Sequence, residues 1–337
     1  MAADTDARPG GGAAVQDGAH GDAVLLSVIV VNWKVHELLR NCLRSLLAET
    51  GPAAGSMQVI VVDNDSGDGS VEMVRAEFPA VHVVANDYNA GFGRANNQAL
   101  PLCQGRYVCL LNPDTVVVDR CIERCLRYLL DHPDAGIVAP RLANPDGSLQ
   151  RWTGGAFPNL ANVASHHLLL AHVLPEGLQP RPLFLDRDVR EPRDVDWVSG
   201  ACMLLRRDCF GENLFDERFF MYGEDMELCH RVRRGGWRVV YYPVVSIVHY
   251  QGSSMRQQTD ADVLASALKG PRRFYAMIEP SRTRQIAFDL LPIVGFFARW
   301  VIYSMAAPFA GNPRIREQAV ACRSYLASAI RALRAPR

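Results

Sequence analysis

The chain has 337 residues, 49% of them hydrophobic, with 36 Lys plus Arg against 36 Asp plus Glu and a formal net charge of zero. That length builds one large domain or two modest ones with a sizeable core, and the balanced charge gives no support for a nucleic-acid partner. The nine cysteines are scattered without a Cys-x-x-Cys spacing, which argues against a zinc site and a disulfide framework and for reduced, mostly buried thiols in a cytosolic protein.

Residues 1–23 are mostly Ala, Gly and Asp. They cannot bury enough surface to offset chain entropy and are expected to form a disordered tail, with neither the basic start nor the apolar centre of a signal peptide. Leu25 to Val31 is an apolar β-branched run, hence a buried strand. His36 to Ala48 carries Leu38, Leu39, Cys42, Leu43, Leu46 and Leu47 at helical spacing. Val59 to Val62 predicts a second strand, Ser70 to Phe78 a helix stopped by Pro79, and Val81 to Val84 a third strand. Ala95 to Leu102 predicts a helix and Tyr107 to Leu111 a fourth strand. This β-α-β-α-β-α-β order implies a mostly parallel sheet with helices on both faces, an α/β Rossmann-like arrangement.

Asp119 to Asp131 predicts another helix and Ile137 to Pro140 another strand. The stretch 144–193 is rich in Pro, Arg, Asp and Gly and reads as an insertion with one short helix, Leu160 to Leu174. Trp197 to Arg206 predicts a strand, Phe219 to Arg234 a mostly helical segment, and Arg238 to Tyr242 a strand closed by Pro243. The boundaries expected are a main domain over 24–265 and a helical region over 266–337. In that region Ile286 to Phe309 is very apolar but contains Asp289, Pro292, Arg299 and Pro308. These interruptions disfavour a clean membrane span. An amphipathic element on the bilayer, flanked by Arg282, Arg284, Arg314 and Arg316, stays open beside a helical pair that packs on the main domain or forms a homodimer.

Acids cluster where such a sheet binds ligands, at the carboxyl ends of its strands. Asp63 ends the second strand. It precedes the Asp68 or Ser70 that caps the next helix and so reads as free for a ligand, such as a base N–H of a nucleotide. Asn112-Pro113-Asp114-Thr115 ends the fourth strand. One exposed carboxylate there suits Mg²⁺ or Mn²⁺, which keep sites for substrate phosphates; the plain alternative is a turn-forming Asp. The loop Asn89 to Asn97 opens a helix with Gly91, Phe92, Gly93, Arg94 and Asn96; its backbone N–H groups and Arg94 suit a phosphate, although a simple turn fits as well. Glu224-Asp225 follows Phe219 to Gly223. One acid suffices for a helix start, and a second beside aromatic residues can serve as a general base. His249 ends the run Val244 to Val248, either as a packed residue or, with Gly252-Ser253-Ser254 behind it, as a metal or phosphate contact.

Together these stretches resemble the inverting family 2 glycosyltransferases of the GT-A fold, in particular the bacterial rhamnosyltransferase-type branch that builds O-antigens and cell-wall linkers. The resemblance spans Leu26 to Arg256 and rests on SVIVVNWK (Ser27 to Lys34), VVDNDSGDGS (Val61 to Ser70), NAGFGRANNQ (Asn89 to Gln98), LLNPDT (Leu110 to Thr115), DWVSGACMLLRR (Asp196 to Arg207), FDERFFMYGEDMELCHR (Phe215 to Arg231) and HYQGSS (His249 to Ser254). It implies Asn32, Trp33 and Asp63 at the nucleotide base, with Asp65, Gly91, Phe92, Arg94 and Asn96 among the donor contacts. Asp114 would bind the metal through the donor diphosphate, with Asn112 in the place of the first acid of the Asp-x-Asp motif. His249 would complete the metal shell, Asp225 would be the base with Glu224 in support, Trp197 and Gly200 would lie near a sugar, and Arg231 near the diphosphate.

The resemblance implies a hexosyltransferase moving a sugar, most simply rhamnose from dTDP-rhamnose, to a polyprenyl-diphosphate-linked glycan, with the enzyme peripheral on the inner face of the cell membrane. Three alternatives stay open: a UDP-sugar donor, a non-catalytic nucleotide-sugar-binding protein of the same fold, and a metal-dependent nucleotidyl- or phosphotransferase.

Overall fold

A computed structural model describes residues 24–48, 57–151, 153–170, 173–185, 189–250, 260–308 and 313–334. The expectations for the 1–23 tail and for the last four residues of HYQGSS lie outside these. The elements in chain order are β1 (Leu26–Asn32), α1 (His36–Leu47), β2 (Met57–Asn64), α2 (Ser70–Glu77), β3 (His82–Asn86), α3 (Phe92–Ala99), β4 (Tyr107–Leu111), β5 (Thr115–Val116), α4 (Cys121–Asp131), β6 (Ala135–Ala143), β7 (Gly154–Gly155), α5 (Leu160–His167), β8 (Arg193–Asp194), β9 (Trp197–Val198), β10 (Cys202–Arg206), α6 (Glu224–Arg234), β11 (Arg238–His249), α7 (Asp260–Ile278), α8 (Arg282–Ala306) and α9 (Pro313–Arg334).

The main sheet runs β3-β2-β1-β4-β10-β6-β11-β5, with β8 on the flank of β11. Neighbours within β3-β2-β1-β4 and the β6–β11 pair are parallel; β10 is antiparallel to β4 and β6. Alternation along each strand divides the core in two. Val28 and Val30 of β1 pack with α1, α2 and α4 on one face, and Ile29 and Val31 with α3, α6 and Phe274 of α7 on the other. All nine cysteines are buried, and none is joined in a disulfide.

Register is what assembles a site. Asn32 of β1 pairs with Asp63 of β2, and Val30 with Leu111 of β4. The carboxyl ends of three parallel strands therefore bring Asn32, Asp63 and the 112–114 turn to one edge. The end of β11 reaches the same edge from the other side, because His249 pairs with Thr115.

Four expectations from sequence need correction. β11 is not closed by Pro243 but runs on to His249; the register with β6 breaks between Tyr242 and Ser246, and that irregularity absorbs a proline that cannot donate to a ladder. Trp197 to Arg206 is two strands, with β9 joining β7 in a small separate sheet and β10 joining the main one. The helix expected from Leu160 ends at His167, and Leu169 adopts φ 58°. The helix expected from Phe219 starts only at Glu224, because Tyr222 and Gly223 both have positive φ (67° and 94°) and interrupt it. Separately, α7 runs across the boundary expected at residue 265.

Candidate active site

The turn after β4 is held from several sides. Its Asn112 N–H donates to Ala201 O (2.9 Å), Thr115 Oγ1 donates to Asn112 O (2.8 Å), and Tyr250 N–H donates to Asp114 O (2.8 Å). Asp114 is nearly buried, and its Oδ1 lies 3.1 Å from His249 Nε2. Asn112 Nδ2 is 3.3 Å from the same nitrogen. Behind the imidazole, Gln150 Oε1 is 2.6 Å from His249 Nδ1, while Gln150 Nε2 donates to His249 O and Asn144 Oδ1. The amide orientation makes Nδ1–H the donor and turns Nε2 toward Asp114. A carboxylate oxygen beside an imidazole nitrogen requires positive charge between them, a proton or a metal ion. Among the described residues no group of three His, Cys, Asp or Glu side chains gathers, so a cation here would have two charged or imidazole ligands plus the Asn112 amide. That donor set fits a hard divalent ion that completes its shell with substrate oxygens and water.

The two acids of α6 stand next to this turn. Gly200 N–H donates to the Asp225 carboxylate, and Gly200 directly precedes the Ala201 that binds Asn112. Asp225 also accepts from its neighbour's N–H, Met226 N (2.8 Å). Glu224 is buried and its Oε2 has no hydrogen-bond partner among the described residues, whereas Asp225 is only partly covered. Burial, then the charge of Asp225, pushes the Glu224 carboxyl up to about 8; burial pushes Asp225 up to about 6 against the backbone N–H groups that favour its charged form. The pair thus shares roughly one negative charge at neutral pH, resting on the residue nearer solvent.

The folded state holds the Glu224 proton more tightly than the unfolded chain. Its stabilising contribution is full below the ordinary carboxylate range, near 4.5, and is lost as pH rises toward about 8. Glu224→Gln, which cannot ionise, is expected to be more stable than wild type by a margin that is small at pH 5 and larger by at least about 1 kcal/mol at pH 8. Thermal unfolding at the two pH values checks this, and a margin that shrinks with pH contradicts it.

Other residues expected at the site have different tasks. Asp63, read from sequence as free, accepts from Asn32 Nδ2 (2.7 Å), Ser66 Oγ (2.6 Å) and Ser66 N–H (2.9 Å), so it closes its own turn and ties β2 to β1. Asn32 is buried and locked in that bond. Trp33, just beyond it, is half-buried and offers the flat apolar surface at this edge. Asp65 is exposed at φ 56° and points away from the packed turn. Arg94 is paired with Glu217 (3.0 Å), and Asn96 donates to Phe92 O (2.9 Å) within its own helix. The Phe92 N–H donates to Phe220 O (3.2 Å), which removes one of the free donors expected at the start of α3. Gly91 has φ 80°, and a Cβ there would sit 2.8 Å from the Phe220 ring, so the 219–221 segment closes down on this loop. Trp197 is 3% exposed, and its indole N–H donates to Ala156 O (3.2 Å), so it packs in the core. Arg231 is bound to Glu227 (2.7 Å) and to the carbonyls of Asn213 and Leu214, bracing the loop before Phe215. Sequence reasoning missed Gln150, which had no local signal because its partner lies 99 positions away. Phe220 and Met221, in the stretch already noted before the acids, are exposed at the lip of the site.

The family model for glycosyl transferase family 2 matches residues 27–214. An N-acetylglucosaminyl-diphospho-decaprenol L-rhamnosyltransferase of Mycobacterium tuberculosis is 30% identical over 243 residues, which cover 68% of this chain and 77% of that protein. The rhamnosyltransferase WbbL of Escherichia coli is 26% identical, over 50% of this chain and 66% of that one. A solved mannosyltransferase from Pyrobaculum calidifontis, in complex with GDP-Man and Mn²⁺, superposes with a TM-score of 0.57 at 16% identity, covering 91% of this chain and 86% of that one. With its strand-end turn, its paired acids and a match over more than half its length, the chain belongs to glycosyl transferase family 2 and has the GT-A fold.

Proposed function

We propose that this protein is an inverting, metal-dependent rhamnosyltransferase that moves rhamnose from dTDP-rhamnose to a polyprenyl-diphosphate-linked glycan at the cytoplasmic side of the membrane. The observation that carries the chemistry is the short backbone path from Asn112 through Ala201 and Gly200 to Asp225, which puts a cation-suited pair, Asp114 and His249, beside a half-buried carboxylate of raised proton affinity. The activity for which the M. tuberculosis relative is named supports the sugar and the class of acceptor.

In this reading Asp114 and His249 would hold Mg²⁺ or Mn²⁺, which when bound would supply positive charge to a departing nucleoside diphosphate, and Trp33 faces the base. Asp225 takes the proton from the acceptor hydroxyl as its oxygen attacks C1 from the face opposite the leaving group. Buried Glu224, kept protonated, adds no second charge to oppose that ionised base.

The test is nucleoside-diphosphate release from a panel of dTDP-, UDP- and GDP-sugars, with and without Mn²⁺ or Mg²⁺ and with a polyprenyl-diphosphate-GlcNAc acceptor. Release from dTDP-rhamnose alone, dependent on metal and acceptor, is expected. A preference for a UDP-sugar would move the donor assignment, and silence across the panel would sink the enzyme reading.

Gln150 enters as the residue that fixes the His249 tautomer, and partners behind a ligating histidine typically contribute 10–100-fold to metal affinity. Gln150→Met is expected to weaken Mn²⁺ binding in the presence of dTDP by about tenfold and to cost about 1–3 kcal/mol of stability from the unpaired Nδ1–H. Mn²⁺ paramagnetic resonance titration gives the first and thermal unfolding the second; full Mn²⁺ affinity in the variant would remove Gln150 from the site.

A further inference from the structure

The helix α8 is long and apolar enough to cross a membrane, with a mean hydropathy of 1.6 over its best window, yet only 17% of that window is buried. Its covered side is specific. Phe288, Gly295 and Phe296 are buried, and a Cβ at Gly295 would lie 2.5 Å from His167 O. Arg299 donates to the carbonyls of His166 (3.1 Å) and His167 (2.7 Å) at the end of α5, and Asp289 pairs with Arg272 of α7 at 3.1 Å with both side chains nearly covered. The opposite side carries Ile286, Leu290, Val294, Phe297, Ile302 and Met305, each exposing about half its surface or more. These lie within one side of the helical wheel and extend along roughly 28 Å of helix.

We infer that this stripe is a contact surface for an anionic lipid bilayer, with α8 lying along the membrane plane. A span would expose Arg299 and the Arg272–Asp289 pair to lipid, and the protein packed down one side of α8 leaves no room for one. A second copy of the chain is the other candidate occupant, and charge decides against it. From Lys269 to Arg334 there are eleven basic residues and three acidic ones, in a chain whose total is balanced at 36 each. The stripe is rimmed in sequence by Arg282 and Arg284 before it and Arg314 and Arg316 after it; a two-fold dimer through the stripe would bring this basic segment against its own copy, whereas an anionic surface neutralises it.

The contact is mechanically tied to the catalytic end. Arg272 of α7 also donates to Ala332 O of α9 (2.8 Å), so one side chain joins all three helices. Two residues earlier, Gly270 packs backbone to backbone on the turn before the acids: a Cβ on Gly270 would lie 2.4 Å from Tyr222 O, and one on Gly223 would lie 2.8 Å from Gly270 O. Phe274 packs on His230 of α6. The bilayer plane and Asp225 therefore belong to one rigid unit, which sets the height at which the base meets an acceptor carried on a lipid. That use rests on the function proposed above; the contact itself does not.

The experiment is co-sedimentation of the full chain with vesicles of phosphatidylcholine alone, or mixed in equal parts with phosphatidylglycerol, for wild type and for Leu290→Glu/Val294→Glu/Phe297→Glu. Wild type is expected to bind the mixed vesicles, to release as salt screens the rim, and to bind phosphatidylcholine weakly. The triple variant is expected to lose at least about tenfold in binding at an unchanged melting temperature, because three apolar anchors become charged. No binding of wild type to the mixed vesicles, or undiminished binding of the variant, overturns the inference. So does a dimer, seen by sedimentation velocity without lipid, that the triple variant dissociates. Vesicle binding in a protein inactive on every sugar nucleotide would leave the surface standing and remove the function.

Discussion

Asp225→Asn is expected to lower kcat by about 10²–10⁴-fold while leaving the dissociation constant of the sugar nucleotide unchanged, the span that general-base catalysis contributes. The substitution keeps the shape of the side chain and an oxygen for the Gly200 or Met226 N–H, so the turn is preserved and only the proton acceptor is lost. The same placement fixes the pH dependence. Burial holds the Asp225 proton to about 6, and the group works only when ionised. Wild-type kcat is therefore expected to fall as pH drops through about 6, while the residual rate of the variant stays flat there. Initial rates from pH 5 to 8 and calorimetry of donor binding measure both. A variant with near wild-type turnover would sink the base assignment, and one that has lost donor binding would make Asp225 a binding residue.

How far the sequence speaks depends on how local each cause is. β4 was readable to the residue, because its five apolar side chains are too few for a buried helix and are bounded by Gly105 and Asn112-Pro113, which leaves a strand covered on both faces. The start of α6 was misplaced by five residues. Hydrophobic spacing continues through Phe219 to Tyr222, and only the left-handed pair at 222–223 breaks the helix. That break puts Glu224 and Asp225 in the first turn, so the error fell on the acid pair proposed above as the base and its support. The tasks of Asp63 and Arg231 were legible and went unread: Ser66 lies three residues after Asp63, the spacing of a side-chain-closed turn, and Glu227 lies four before Arg231, the spacing of a helical ion pair. The Gln150–His249 contact and the Gly270–Gly223 contact were not legible. Both are made by tertiary approach between segments with no shared pattern, and one joins the insertion to the end of β11.

Asp114→Ala is expected to weaken binding of dTDP in the presence of Mn²⁺ by about 100-fold or more and to leave metal-free binding of dTDP unchanged. Partners that merely orient a metal ligand contribute 10–100-fold, and Asp114 is the one anionic residue of the donor set at this turn, so its loss is expected to cost no less. The fold should tolerate the change, because the backbone carbonyl that receives Tyr250 N–H remains and Asn112 still faces His249 Nε2. Asn112 cannot substitute: its amide brings no charge, and its Nδ2 is turned toward the imidazole. Calorimetry with dTDP, with and without Mn²⁺, reads the effect, and an unchanged metal-dependent affinity would show that the 112–114 turn is structural. Set beside Asp225→Asn, the result also separates two roles that share one edge of the sheet. Loss of Asp114 removes the hold on the diphosphate and so the donor, whereas loss of the Asp225 charge keeps the donor and stops its transfer. If both variants lost the same property to the same degree, the division between a cation-binding turn and a proton-accepting helix start would fail, even with the fold intact.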